Sequence, residues 1–198
     1  MNATFERFDL ERIAPTPWKN GAGLTREIAL APAGAGGFDW RLSLAEVERD
    51  APFSAFPGID RCIVLLRGAG MRLRSADGRL DHLLDRPLTP FHFSGDMPLA
   101  ATVLGGQSSD FNVMTRRGAW SYELAVERHA SVLRPADVTL LLCCAGEWRV
   151  DAAGVAEPLR HMQALLWRAR SAPLAVQPAG PAANSALLHV RLCHDHAP

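Results

Sequence analysis

The sequence predicts an all-β protein of sandwich or barrel type with little helix. Three features carry this: apolar residues recur at period two, Gly, Pro and Asp fall in nearly every gap between apolar runs, and no stretch offers a long amphipathic helix with caps at both ends. The clearest strand is Phe38 to Ala45, where Phe38, Trp40, Leu42 and Leu44 alternate with Asp39, Arg41, Ser43 and Ala45. Comparable short runs lie at Thr25 to Leu30, Cys62 to Arg67, Met71 to Arg74, Ala100 to Leu104, Phe111 to Thr115, Trp120 to Val126, Val138 to Ala145 and Leu187 to Cys193. Asp77-Gly78 is a hairpin-turn signal, because Gly accepts the positive φ that tight turns demand. The best helical candidate is a turn or two around Arg134 to Asp137. The Pro- and Ala-heavy segment Ser171 to Ala183 reads as a surface loop.

Composition shifts near Gly118, from polar residues in strand and turn contexts to an Ala- and Leu-rich C-terminal part. Two β units follow, residues 1–118 and 119–198, joined near Arg117 to Trp120. Lys plus Arg equals Asp plus Glu at 21 each, and the basic residues are scattered rather than gathered into a stripe, so no direct nucleic-acid partner is expected. The opening MNATFERFDLER alternates in charge and lacks the apolar segment of a signal peptide, and no later run is long enough to span a bilayer. A cytoplasmic protein with no membrane partner is expected. Cys62, Cys143, Cys144 and Cys193 lack the spacing of a disulfide framework and should stay reduced.

Candidate chemistry lies mostly in the first unit. In Pro17 to Glu27, a glycine-flexed loop holds Lys19 and Asn20, and the following strand presents Thr25 and Glu27 on alternate positions, a set able to surround a small anion. The plain reading is a Gly turn before an edge strand; the spacing does not fit a phosphate loop. On the strand Phe38 to Ala45, Arg41 and Ser43 look outward in a simple sandwich, but in a small barrel they face an enclosed cavity, where Arg offers a fork to a carboxylate. Asp60 and Arg61 follow Pro57-Gly58 at the entrance of the next strand, and their plain reading is a local ion pair. In Asp110 to Arg117, Asp110, Asn112 and Met114 share one face, so that Asn112 supplies an amide to a ligand at a barrel mouth or ties down a loop. His92, between Phe91 and Phe93, reads as a packed histidine. His194-Asp195-His196 reads as a frayed end, and Cys143 and Cys144 as small core residues on opposite faces.

PWKNGAGLTREI, FDWRLSLAEVERDAPFSAFPGIDRCIVLLRGAG, FHFSGD and DFNVMTRR, in that order, resemble the HutD/Ves family of double-cupin proteins. The resemblance covers roughly residues 15 to 120, and the C-terminal third shares only general β character. It implies a bicupin, two packed jelly-roll-like β-barrel units, with no metal requirement. HutD-like members are associated with bacterial histidine utilisation as regulators that sense a pathway intermediate, and Ves-like members with cold and stress responses. Ala22 departs from the family's usual Gly-Gly-Gly run.

The leading expectation is a ligand-sensing protein of the histidine utilisation system that takes a small carboxylate such as urocanate or N-formylglutamate. Lys19, Asn20, Arg41 and Arg61 are its candidate anion contacts, with Thr25, Glu27, Ser43, Asp60 and Asn112 completing the polar set. The alternative is a metal-independent isomerase or lyase acting on a small carboxylated compound, with Glu27 or His92 as acid or base. No cofactor and no metal are expected, because no His precedes His82 and a metal centre needs several convergent ligands. Elemental analysis of the untagged protein should find well under one equivalent of zinc, iron or nickel per chain; a stoichiometric value overturns this reading.

Overall fold

A computed structural model describes residues 5–32, 37–152, 154–168 and 173–195. After β1 (Phe5–Asp9), the chain runs through β2 (Thr16–Pro17), β3 (Gly23–Ala31), β4 (Trp40–Val47), β5 (Ala51–Phe53), β6 (Ile59–Arg67), β7 (Met71–Ser75), β8 (Asp81–Leu84), β9 (Pro90–Ser94), β10 (Leu99–Val103) and β11 (Ser108–Arg116). It continues through β12 (Trp120–Glu127), β13 (Ser131–Leu133), β14 (Val138–Ala145), β15 (Glu147–Ala152), β16 (Val155–Arg160), β17 (Gln163–Trp167), β18 (Leu174–Pro178) and β19 (Ala186–His194). Contacts divide the chain into two units, Ile13–Trp120 and a second formed by Met1–Arg12 with Ser121–Pro198. The first strand therefore belongs with the C-terminal part, because Phe5 to Asp9 pair antiparallel with Trp167 to Gln163.

Each unit has two antiparallel sheets. The first has the orders β2-β3-β4-β11-β6-β9 and β5-β10-β7-β8; the second has β12-β19-β14-β17-β1 and β13-β18-β15-β16. Raising each of the numbers β4 to β11 by eight converts one set of neighbours into the other, so the same eight-strand pattern is drawn twice. Both copies also carry an irregularity at the same rung, just after the pair Leu65–Asp110 in one and just after Cys143–Leu187 in the other.

The units differ in how they are filled. In the second, Leu141, Cys143, Trp148, Leu165, Trp167 and Leu187 form a buried apolar cluster, with Phe5 of β1 packed at 4.5 Å on Trp167. In the first, Val47, Phe53, Ile63, Leu65, Met71 and Phe93 fill only part of the interior, and a polar cavity occupies the rest. The expected β7–β8 hairpin forms around Gly78, whose φ is 73°.

Several expectations need correction. Arg134 to Asp137 is not helical; Pro135 lacks an N–H, and the carbonyls of Arg134 and Pro135 accept hydrogen bonds from Arg191 instead. Among the described residues the helical turn that does form is the 3-10 turn Ala182–Asn184. The segment read as a loop contains β18, with Leu174 and Val176 buried in the second core; Ser171 and Ala172 lie outside the described residues. The tail is anchored where it is described, since Asp137 accepts the His194 N–H at 2.8 Å and Ser121 donates to Asp195 at 2.7 Å; His196 lies outside the described residues. Cys143 is core as expected, whereas Cys144 on the other face is only partly buried.

The filled second unit generates a stability prediction. Trp148 is fully buried between β15 neighbours and the apolar cluster, so Trp148→Ala should lower unfolding free energy by about 3–5 kcal/mol in a denaturant titration. A loss near that of an exposed site contradicts the packing described.

Candidate functional site

Four strands of the first unit present three interior rungs. Arg41 of β4, Met114 of β11 and Arg61 of β6 form one; Glu27, Ser43, Asn112 and Ile63 form the next; Thr25, Ala45, Asp110 and Leu65 form the third. Residues directly opposite on antiparallel strands point to the same face, so the polar residues of the first two rungs converge. They bound a cavity of about 530 Å³, within the range of small-molecule sites. Of the residues singled out from sequence, Lys19, Asn20, Thr25, Glu27, Arg41, Ser43, Arg61 and Asn112 line this cavity. The polar row of β4 therefore faces inward, and the apolar row of Trp40, Leu42 and Leu44 is buried on the opposite face.

Arg61 is the deepest cation, with 4% of its surface exposed. Its Nη1 donates to the Ser54 carbonyl at 3.0 Å and its Nη2 to Asn112 Oδ1 at 3.2 Å. The guanidinium carbon lies 4.7 Å from the ring centre of Phe53, 5.2 Å from Phe56 and 4.9 Å from Phe93, three cation–π contacts. Burial, and after it the like charge of Arg41, push the guanidinium down to about 9, so it is still charged at neutral pH. Three basic residues line the cavity against the one acidic Glu27, so the lining carries an excess of positive charge.

The remaining residues hold the rim. Glu27 accepts from Arg41 Nε at 3.1 Å, which orients the Arg41 fork. Asn20 is an exposed turn residue whose Oδ1 accepts the Ala22 N–H at 3.1 Å, so its side chain shapes the loop that carries Lys19. Thr25 accepts from Trp18 Nε1 at 2.8 Å, which fixes the indole as a cavity wall. Gly23 lets β3 approach β4 closely: a Cβ there would lie 2.3 Å from the Glu46 carbonyl oxygen.

Asp60 is a correction. Neighbours on a strand point to opposite faces, so Asp60 is turned away from the cavity, and it pairs with Arg117 at 2.8 Å rather than with Arg61. Arg117 also holds Asp96 at 2.8 Å and accepts company from Ser94, whose Oγ receives an Arg117 N–H at 2.9 Å. Asp96 in turn receives the Gly58 N–H at 2.6 Å, and these bonds hold its carboxyl down at about 2. The FHFSGD and DFNVMTRR motifs thus join in a clasp around Phe56 to Ile59. Gly95 completes it, since a Cβ there would come within 2.6 Å of the Phe56 carbonyl and 2.7 Å of that of Ile59. His92 is exposed rather than packed, on the face of β9 opposite Phe93.

Sequence reasoning assigned no role to Trp18, Phe53, Phe56 and Phe93, although all lie in or beside the quoted motifs. It also gave none to Asp110, which is fully buried with neither carboxyl oxygen hydrogen-bonded among the described residues. Burial pushes this carboxyl up to about 7. Between the ordinary value of about 3.9 and that of the folded state, the unfolded chain binds fewer protons than the folded one, so stability falls as pH rises through this window. Asp110→Asn removes the effect. Its melting temperature relative to wild type should rise between about pH 5 and about pH 8, by the equivalent of a few kcal/mol; a pH-independent difference means that the carboxyl is solvated.

Comparisons with known proteins agree with this architecture. The HutD family model matches residues 10–183, well beyond the segment carrying the four motifs. HutD from Pseudomonas fluorescens SBW25 superposes with a TM-score of 0.83 and 29% identity, over 96% of this chain and 99% of that one. The conserved protein of unknown function PA5104 from Pseudomonas aeruginosa PAO1 superposes with a TM-score of 0.84 and 28% identity, over 96% and 99%. A cupin 2 conserved barrel domain protein from Leptotrichia buccalis shares the fold alone, with a TM-score of 0.62 and 10% identity over 96% and 97%. By the extent of the family match, the chain belongs to the HutD family.

Proposed function

We propose that this protein binds a small carboxylated intermediate of histidine breakdown, urocanate or N-formylglutamate, in the cytoplasm, and modulates histidine utilisation in response. The observation that carries the reading is Arg61, a charged guanidinium kept almost wholly out of water at the wall of a polar cavity. Burying a cation in a β core is costly, and replacing one by apolar groups is often neutral or stabilising, so its presence points to a use other than stability. Arg41 and Lys19 add positive charge nearby, and Ser43 and Asn112, each 3% exposed, add neutral donors and acceptors. That set suits a carboxylate joined to an amide, formyl or imidazole group. The pathway is supplied by membership of the family, the ligand chemistry by the cavity.

A binding role is better supported than acid–base catalysis. Of the two candidate bases, His92 does not line the cavity, and Glu27 is engaged with Arg41. Among the described residues no helix is long and apolar enough to cross a membrane, and no group of three or more His, Cys, Asp and Glu side chains could hold a metal ion.

A thermal-shift titration tests the reading. Urocanate or N-formylglutamate should raise the melting temperature saturably, by the equivalent of about 2.7 kcal/mol at one hundred times the dissociation constant. Arg61→Met should keep or raise the stability of the free protein while abolishing that response, and Arg41→Leu should fold normally while weakening binding by about 2 to 5 kcal/mol. Absence of binding by either compound at millimolar concentration in calorimetry, or a full response in Arg61→Met, refutes the proposal.

A further inference from the structure

We propose that Asp110, buried behind the lining of the cavity, is a proton-binding residue coupled to it: its carboxylate takes up a proton from solvent when a small carboxylate is captured beside Arg61 and Arg41, so that anion and proton binding favour each other. This rests on the anion-binding reading of the cavity and adds a coupling device to it. No bond other than the carboxyl O–H is formed, and the proton comes from water.

The first support is position. Asp110 stands on β11 one rung from Asn112, on the same interior face and on the side away from Arg61. Asn112 links the two regions, since its Oδ1 receives Arg61 and its Nδ2 reaches the Asp110 carbonyl at 3.5 Å. The second support is the surroundings. Asp110 shares its rung with Thr25 of β3, Ala45 of β4 and Leu65 of β6, and the opposite sheet contributes Phe53, Met71, Leu73, Leu99 and Ala101 to the core around Leu65. None of these titrates. The charged groups on the same interior face are Glu27, one rung away, and Arg41 and Arg61, two rungs away, and Lys19 lines the cavity from the loop before Thr25. Both carboxyl oxygens are buried and make no hydrogen bond among the described residues, a condition tolerable for a neutral acid and severe for a carboxylate. Burial alone raises the carboxyl to about 7, where solvent pH decides its charge.

The third support is internal to the chain. The matching irregularities align the pair Leu65–Asp110 with the pair Cys143–Leu187, so the second unit has a leucine where the first has Asp110. The eight-strand pattern therefore forms without a carboxyl at this rung, and Asp110 is not a requirement of the fold.

The magnitude follows from distance. Rungs two residues apart along a strand are separated by about 7 Å. A ligand anion between the Arg61 and Asn112 rungs then lies about 10 Å from the Asp110 carboxylate, and at an effective dielectric of about 20 the repulsion lowers affinity roughly tenfold.

Calorimetry on the full chain with formate, N-formyl-L-glutamate and urocanate tests this, with the two non-imidazole probes keeping one charge state between about pH 6 and about pH 8.5. Affinity for formate and N-formyl-L-glutamate should fall roughly tenfold across that interval. At about pH 8, buffers of different ionisation enthalpy should reveal uptake of about half a proton per anion. Asp110→Asn should bind with no uptake and no pH dependence, and Asp110→Leu, which copies the second unit, is the companion variant if the amide fails to fold. Proton-coupled binding of formate alone upholds the role of Asp110 while removing the histidine-pathway reading. Binding without uptake, uptake that persists in both variants, or no binding of any probe overturns it.

Discussion

Arg61 sits on β6, between β11 and the edge strand β9, with its guanidinium inside the first β unit, and the elements around it are arranged to keep a charge there. Left in a plain apolar core it would cost several kcal/mol. Three phenylalanine rings, the Ser54 carbonyl and the Asn112 amide replace part of its lost hydration. Phe56 reaches it only because the loop Phe56 to Ile59 is drawn against Gly95 and clasped by Asp96 and Arg117. Gly95, Asp96 and Arg117, which do not line the cavity, thereby act on it by fixing the wall that covers the cation.

The two units make the point by contrast. In the second, Thr139 stands where Arg61 stands in the first, His189 where Asn112 stands, and Arg191 where Met114 stands, by the same alignment of irregularities. Arg191 there is held by Glu123 and by the carbonyls of Arg134 and Pro135, and Trp148 and Trp167 occupy the interior. The second unit thus engages Arg191 internally and closes on an apolar core. The first leaves polar groups converging on open space, the condition for a binding site.

Much of the site was legible because a strand converts period two directly into a shared face. Arg41 with Ser43, and Asn112 with Met114, were placed on common faces from spacing alone, and the structure sets those faces on one cavity. Asp60 was misread because adjacent residues were treated as partners, whereas a strand sends them to opposite sides; its ion pair with Arg117 is 57 residues away in sequence. Asp110 carried a usable signal, since it lies on the Asn112 face of a run otherwise rich in buried residues, but its burial depends on strands far along the chain. The aromatic box was not legible, because Phe93 joins Phe53 and Phe56 from a strand far along the chain.

What the sequence by itself determined is the β character, the turns and the face on which each polar residue sits, since these follow from local backbone geometry and side-chain alternation. It also determined family membership, through motifs whose order is independent of contacts. Tertiary structure decided which face is inside. It brought β1 to the C-terminal unit, made a strand of Leu174–Pro178, turned the Arg41 and Ser43 row inward and buried the Asp110 carboxyl with no hydrogen bond among the described residues. Those outcomes depend on pairings between distant strands, and a residue's exposure is a property of what is packed against it rather than of its neighbours in the chain.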